Sequence, residues 1–149
     1  MIMTKEVLLA LKGLQIENAD GGQELETITA ADYYLKNGSH YVLYEEVTEG
    51  YEDVTKNLIK FRDSCLEVRK KGLVNVHMVF EENKKNMTSY MTPYGNILIG
   101  IDTGNVSVEE KEKEIRVHVD YILEANYQYL ADCKIEMKIS PREEGLRLL

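Results

Sequence analysis

The stretch "IRVHVDYILEA", residues 115–125, constrains this chain more than any other eleven residues in it. Apolar side chains at Ile115, Val117, Val119, Tyr121, Leu123 and Ala125 fall on every second position. Arg116, His118, Asp120 and Glu124 take the other face, and only Ile122 is out of phase. A helix repeats every 3.6 residues, so a period of two gives one apolar face only to an extended strand. "CKIEMKI" (133–139) alternates in the same way, with Cys133, Ile135, Met137 and Ile139 against Lys134, Glu136 and Lys138. Val74, Val76, Met78 and Phe80 form a third such set, Ile97, Ile99 and Ile101 a fourth, and Val7, Leu9 and Leu11 a fifth. After Gly13 the apolar set moves to Leu14 and Ile16, and a glycine at a phase change predicts a bulge or sharp bend.

Short turn-forming segments separate these runs. "NADGG" (18–22), "KNG" (36–38), "KKG" (70–72) and "NKKN" (83–86) read as hairpin connections, with Gly or Asn available for positive φ. "TEGYED" (48–53), Asp63-Ser64 and "ANYQ" (125–128) read as further corners. "SVEEKEKE" (107–114) has the composition of a helical turn or two but no apolar stripe, so a charged loop fits it equally. The count is about ten strands. Consecutive antiparallel strands with one apolar face either pack as a sandwich or close on themselves, and short sequential hairpins favour closure. The expected fold is an all-β, antiparallel up-and-down barrel of about 8–10 strands. It occupies residues 1–140 as a single domain, and 141–149 form a loose tail.

With the strands placed, the order of "YYLKNGSHYVLYEE" (33–46), "RKKGLVNVHMVF" (69–80), "SYMTPYGNILIGIDT" (89–103) and a strand containing Tyr121 resembles the YwiB-like family. That family is a bacterial group of domains of unknown function with a calycin, lipocalin-like barrel. The resemblance runs from about residue 5 to 140 and is most specific at Tyr44-Glu45-Glu46 and at Tyr90-x-x-Pro93-Tyr94-Gly95. It implies the barrel fold and brings no catalytic residues with it.

Most function classes find no support in the residues. Pro93 suits the second position of a turn and Gly95 a left-handed residue after it, so "TPYG" is a corner between strands. His40, His77 and His118 are dispersed without a partner at metal-ligand spacing, and His77 and His118 are expected to face solvent. "ENADGGQE" lacks the alternating ligands of a calcium loop. With no nucleophile elbow and no Gly-rich phosphate loop, no catalytic residue, metal or cofactor is expected. A net charge of −8 argues against nucleic acid, and no apolar run is long enough for a membrane helix. Residues 56–85 hold eight Lys or Arg against four acids, a net of +4 that leaves −12 elsewhere. Such a run reads as a solvated face, with a shallow site for an anion or acidic partner as the other option. The short apolar N-terminal segment reads as a strand and not a signal peptide. Cys65 and Cys133, far apart and outside any CxxC, read as free thiols of a cytoplasmic protein.

What remains is a set of polar and aromatic residues that strand parity can direct into a barrel mouth. Tyr44 and Glu46 share one side of a strand, as do Tyr90 and Thr92. Arg69 ends another strand, and Tyr121 adds a wall contact. These six residues suit a non-catalytic binding module for a small, partly apolar ligand, with Glu46 and Arg69 orienting it. Cross-strand pairing on a barrel wall accounts for the same pattern. The alternative is an interaction module with a side-chain-filled barrel that holds an acidic partner or itself as a homo-oligomer. A third reading is an enzyme with Glu46 as base.

Overall fold

The computed structural model describes residues 5–14 and 26–142. Ten strands follow one another: β1 (Glu6–Lys12), β2 (Glu26–Lys36), β3 (Ser39–Val47), β4 (Val54–Arg62), β5 (Cys65–Lys71), β6 (Val76–Glu81), β7 (Lys84–Thr92), β8 (Gly95–Glu110), β9 (Ile115–Ala125) and β10 (Gln128–Pro141). Apart from β6 and β7, sequential neighbours pair antiparallel, and β1 pairs β10, with Val7 opposite Pro141 and Leu11 opposite Met137. The ring is therefore an up-and-down barrel that closes across the two ends of the chain. Its seam between β6 and β7 has no ladder. There Asn75 and Met91 exchange backbone hydrogen bonds of 2.9 and 3.0 Å, and the Asn86 side-chain amide donates to the Val79 carbonyl at 3.2 Å. A side chain thus takes the place of a missing ladder bond. Among the described residues, no helix is long and apolar enough to cross a membrane.

The alternation read from the sequence places the core. On β9, Ile115, Val117, Val119, Tyr121 and Leu123 are buried, and the out-of-phase Ile122 lies on the outside. Leu9, Ile59, Phe61, Leu66, Met78, Phe80, Ile99, Ile101, Ile115, Leu123, Ile135 and Ile139 are each under 2% exposed. A side chain beside a void large enough for water would retain accessible surface. These twelve come from seven strands, so they fill much of the barrel between them, each contributing roughly 1.5–3 kcal/mol by burial.

Several local expectations shift. "SVEEKEKE" is neither helix nor simply loop, since residues 107–110 continue β8 in pairing with β9, and only 111–114 turn. A strand edge already held by β9 outweighs weak helix propensity without an apolar stripe. Lys70 and Lys71 remain in β5, and the connection to β6 runs from Gly72 to Asn75. The β6–β7 turn is Glu82-Asn83, one residue earlier than "NKKN" begins. Gly13 follows the end of β1 with φ +83°, and a Cβ there would lie 1.8 Å from the Lys134 carbonyl oxygen. The bend expected at this glycine is therefore enforced by backbone contact. "NADGG", "ENADGGQE" and residues 143–149 of the tail lie outside the described residues.

All pairing being antiparallel, connections alternate between the two ends of the barrel. The β3–β4, β5–β6, β7–β8 and β9–β10 connections share what is called here the upper end. The β2–β3, β4–β5, β6–β7 and β8–β9 connections share the lower end.

Candidate functional site

Near the upper end, strand parity carries polar residues into the interior. Tyr44 lies opposite Asn57, Asn57 opposite Lys70, and Lys70 opposite Val76, forming one inward row across β3, β4, β5 and β6. Asn57, Lys70 and Thr55 are buried. The Lys70 ammonium donates to Glu46 Oε1 at 2.7 Å and to Asn57 Oδ1 at 2.9 Å. Asn57 Nδ2 donates to the same Glu46 oxygen at 2.8 Å and to the Thr55 carbonyl at 3.3 Å. Lys70 keeps a tenth of its side chain exposed (10%), whereas Glu46 keeps about a third (32%). The cluster therefore runs from a buried cation to a carboxylate at the rim, and its charge-assisted bonds offset part of the cost of desolvating Lys70. Burial, followed by the nearby Glu46 carboxylate, raises the Tyr44 phenol above its ordinary value, so Tyr44 is a neutral hydroxyl at any physiological pH.

An opening leads to this row. β2 and β3 pair only from Asp32–Leu43 down to Lys36–Ser39, and above that register they part. The gap is a cleft of about 490 Å³ whose lining includes Ala30, Ala31, Leu43, Tyr44, Lys56 and Asn57. Glu6, Asp32, Glu45, Lys56 and Arg142 supply half of its lining residues, Ala30, Ala31 and Leu43 its apolar part, and the buried residues Tyr44 and Asn57 complete it. Such a site can hold a small, partly apolar molecule that also carries polar or charged groups.

The six residues singled out from the sequence divide in this structure. Tyr44 and Glu46 meet at the cluster. Tyr90 is buried inside the wall. Tyr121 is buried too, with its hydroxyl donating to the Gly13 carbonyl at 3.2 Å and its ring edge-on to Phe80 at 5.0 Å. Thr92 belongs to the β7–β8 turn, where its hydroxyl accepts from the Tyr94 amide at 3.1 Å and donates to the Gly95 carbonyl at 2.9 Å. Arg69 is exposed on the outer face, in register with Leu58 and His77, so it does not point into the mouth. Lys70 takes that place. Asn57 and Lys70 were legible in principle, since each continues the apolar phase of its strand: Asn57 with Ile59 and Phe61, Lys70 with Leu66 and Val68.

The basic run of residues 56–85 is largely a solvated face with local partners. Lys84 meets Glu81 at 3.3 Å, Lys85 meets Glu124 at 2.6 Å, and His77 meets Glu67 at 3.1 Å. His77 and His118 are both partly exposed, and Cys65 and Cys133 are free. His40 differs. It is buried at the lower end, bonded at Nδ1 to the Tyr33 hydroxyl (2.7 Å) and at Nε2 to Glu110 (2.8 Å), and stacked on Phe61 at 4.6 Å. A neutral ring protonated at Nε2 satisfies both partners at once. Burial pulls its pKa below the ordinary histidine value, against an upward pull from Glu110 and Asp63.

Comparison with known proteins gives a family and a fold. The family described as "Domain of unknown function (DUF1934)" matches residues 9–137. Among solved structures, the ywiB protein from Bacillus subtilis superposes with a TM-score of 0.74 at 17% identity, covering 92% of each chain. At that identity the likeness concerns the barrel alone. No functionally curated protein matches the chain.

Proposed function

The chain belongs to the DUF1934 family of domains of unknown function, and on that premise we propose that it is a non-catalytic binding module for a small, partly apolar ligand, held in the cleft between β2 and β3. The observation that carries this reading is the meeting of an opening with buried polar groups. The cleft ends on Tyr44 and Asn57, and Asn57 is bonded to Lys70 and Glu46 behind it. The filled interior argues for a ligand at the wall near the upper mouth, not one deep in the barrel. In this role Tyr44 and Asn57 contact the polar end of the ligand, Ala30, Ala31 and Leu43 contact its apolar body, and Lys70 and Glu46 hold Asn57 in place. Free thiols at Cys65 and Cys133 fit a reducing compartment such as the cytoplasm.

Native mass spectrometry of freshly purified protein, together with ligand-observed NMR screening of a fragment library, tests this proposal. We expect either a stoichiometric extra mass that is lost on denaturation or fragment hits. In both cases occupancy should fall at least about tenfold when Tyr44→Phe and Asn57→Leu are combined. Unchanged occupancy in that variant contradicts the proposal. So does wild-type protein that carries no mass and yields no hit.

A further inference from the structure

The cleft is also a break in a hydrogen-bond ladder. β2 runs from Glu26 to Lys36, yet only Asp32 to Lys36 pair with β3, and β3 continues to Val47 beyond its last partnered residue, Leu43. The Tyr33 amide donates to the Lys5 carbonyl at 2.7 Å, so Tyr33 turns its main-chain groups toward β1. Successive residues of an antiparallel strand turn these groups to opposite sides. Ala31, Thr29 and Thr27 therefore face β1 as well, opposite Val7, Leu9 and Leu11. Ala30, Ile28 and Glu26 face the gap. By the same parity on β3, where Leu43 pairs with Asp32, Glu45 and Val47 turn theirs into it from the other side. Among the described residues no main-chain group pairs with them, and the Ala30 carbonyl has a local contact from the Thr29 hydroxyl at 3.4 Å.

We propose that the ligand of this cleft is a short peptide in extended form, which adds to the open edge of β2. The inference rests on the cleft being a binding site, and it names the class of ligand. The donors and acceptors of Ala30, Ile28 and Glu26 recur every second residue, about 6.8 Å apart. An extended main chain matches that repeat and a compact small molecule does not. The unpaired length of β2, residues 26–31, reaches roughly 20 Å, enough for a peptide of about six residues. Ala30 and Ala31 line the cleft with small side chains, which lets a second backbone approach to the strand spacing of about 4.8 Å. A peptide paired here alternates its side chains between two surroundings. Those pointing inward reach the buried Tyr44 and Asn57, and those pointing outward lie among Glu6, Asp32, Glu45, Lys56 and Arg142. The inward positions suit apolar residues with a hydrogen-bonding tip, and the outward ones suit polar residues.

The shape of the gap favours a free peptide over a second copy of this chain. The fork is closed below at the Asp32–Leu43 pair and has a strand on either side, so an occupant enters it as a single chain. A strand of a folded copy brings its own neighbouring strands with it. The charged side chains along the rim also oppose edge-to-edge pairing of two sheets.

Hydrogen exchange and peptide binding together test the proposal. In the free protein the Ala30 and Ile28 amides exchange at least about tenfold faster than those of Thr29 and Ala31, which bond to β1. A library of capped hexapeptides with alternating apolar and polar residues yields binders that slow those two amides. N-methylation of a binder at alternate nitrogens, the ones facing β2, weakens it at least about tenfold, and N-methylation at the nitrogens between them does less. Ile28→Pro removes one edge N–H and no ladder bond, and Ile28 lies outside the lining of the cleft. It therefore weakens the peptides about fivefold or more and leaves fragment binding at Tyr44 and Asn57 unchanged. Fragments that bind through Tyr44 and Asn57 while no hexapeptide binds overturn the peptide and leave the cleft as a binding site, whereas failure of both removes the cleft itself. Equal protection of Ala30, Ile28 and Thr29 in the free protein also overturns the proposal. The edge is then paired within the chain or, if that protection is lost on dilution, by a second copy. Peptides that respond to N-methylation equally at every nitrogen, or at none, bind without joining the strand and overturn it as well.

Discussion

Thr103 shows most directly what one side chain costs this barrel. It is buried on β8 facing inward, and its hydroxyl oxygen has no hydrogen-bond partner. A buried hydroxyl without a partner loses its hydration and gains nothing in return. Thr103→Val keeps the shape and removes that loss, so chemical denaturation should show a gain of about 1 kcal/mol. A loss would mean that the hydroxyl is bonded to an ordered water. His40 makes a second prediction at this scale. Its folded pKa lies below the ordinary value of about 6.5, chiefly through burial. Between the folded and unfolded values the unfolded chain binds more protons, so stability rises with pH across that window and is lost as pH falls through it. Urea denaturation from about pH 7.5 down to pH 5 should show this slope, and His40→Gln should flatten it whatever its overall stability. A slope that is the same in both proteins removes His40 as its source. Residue identity misleads where parity does not: Arg69 looks like the functional cation of its strand, yet the next residue, Lys70, carries the inward phase.

Among the elements, β6 and β7 form a weak link, because one bridge and the Asn86 amide stand in for a ladder. Hydrogen exchange should therefore find the edge-facing amides of β6 and β7, like those where β2 and β3 part, less protected than the amides of β9. Asn86→Ala should cost about 1 kcal/mol and speed exchange there first. Protection equal to that of β9 would contradict this view of the seam. The strands themselves were legible, because period-two alternation in β1, β6, β9 and β10 reports burial directly. Their ends were less so. "KKG" and "NKKN" contain turn-forming residues, but Lys70, Lys71 and Lys84–Asn86 are held in ladders, since cross-strand bonds outweigh local turn preference. The reach of β8 to Glu110 was hidden for the same reason: its partner β9 is strong and its own composition is not. The splaying of β2 from β3 has no signature in either strand, because it is a relation between the two.

For the whole molecule, the barrel class and strand number follow from the apolar phase and the hairpin spacing, and the resemblance to the YwiB-like family points the same way. Whether the interior is open depends on side-chain volumes that meet from opposite walls, and no single strand discloses that. The twelve large side chains from seven strands fill much of it, and among the described residues the cleft between β2 and β3 is an opening that reaches the buried residues Tyr44 and Asn57. The most direct test is two-dimensional NMR of uniformly labelled protein titrated with fragment hits. Shift changes should gather at Ala30, Ala31, Tyr44 and Asn57 and leave the methyls of Ile59, Ile135 and Ile139 unmoved. Changes centred on those three isoleucines would contradict a ligand at the wall, because they would place it among the side chains that fill much of the barrel.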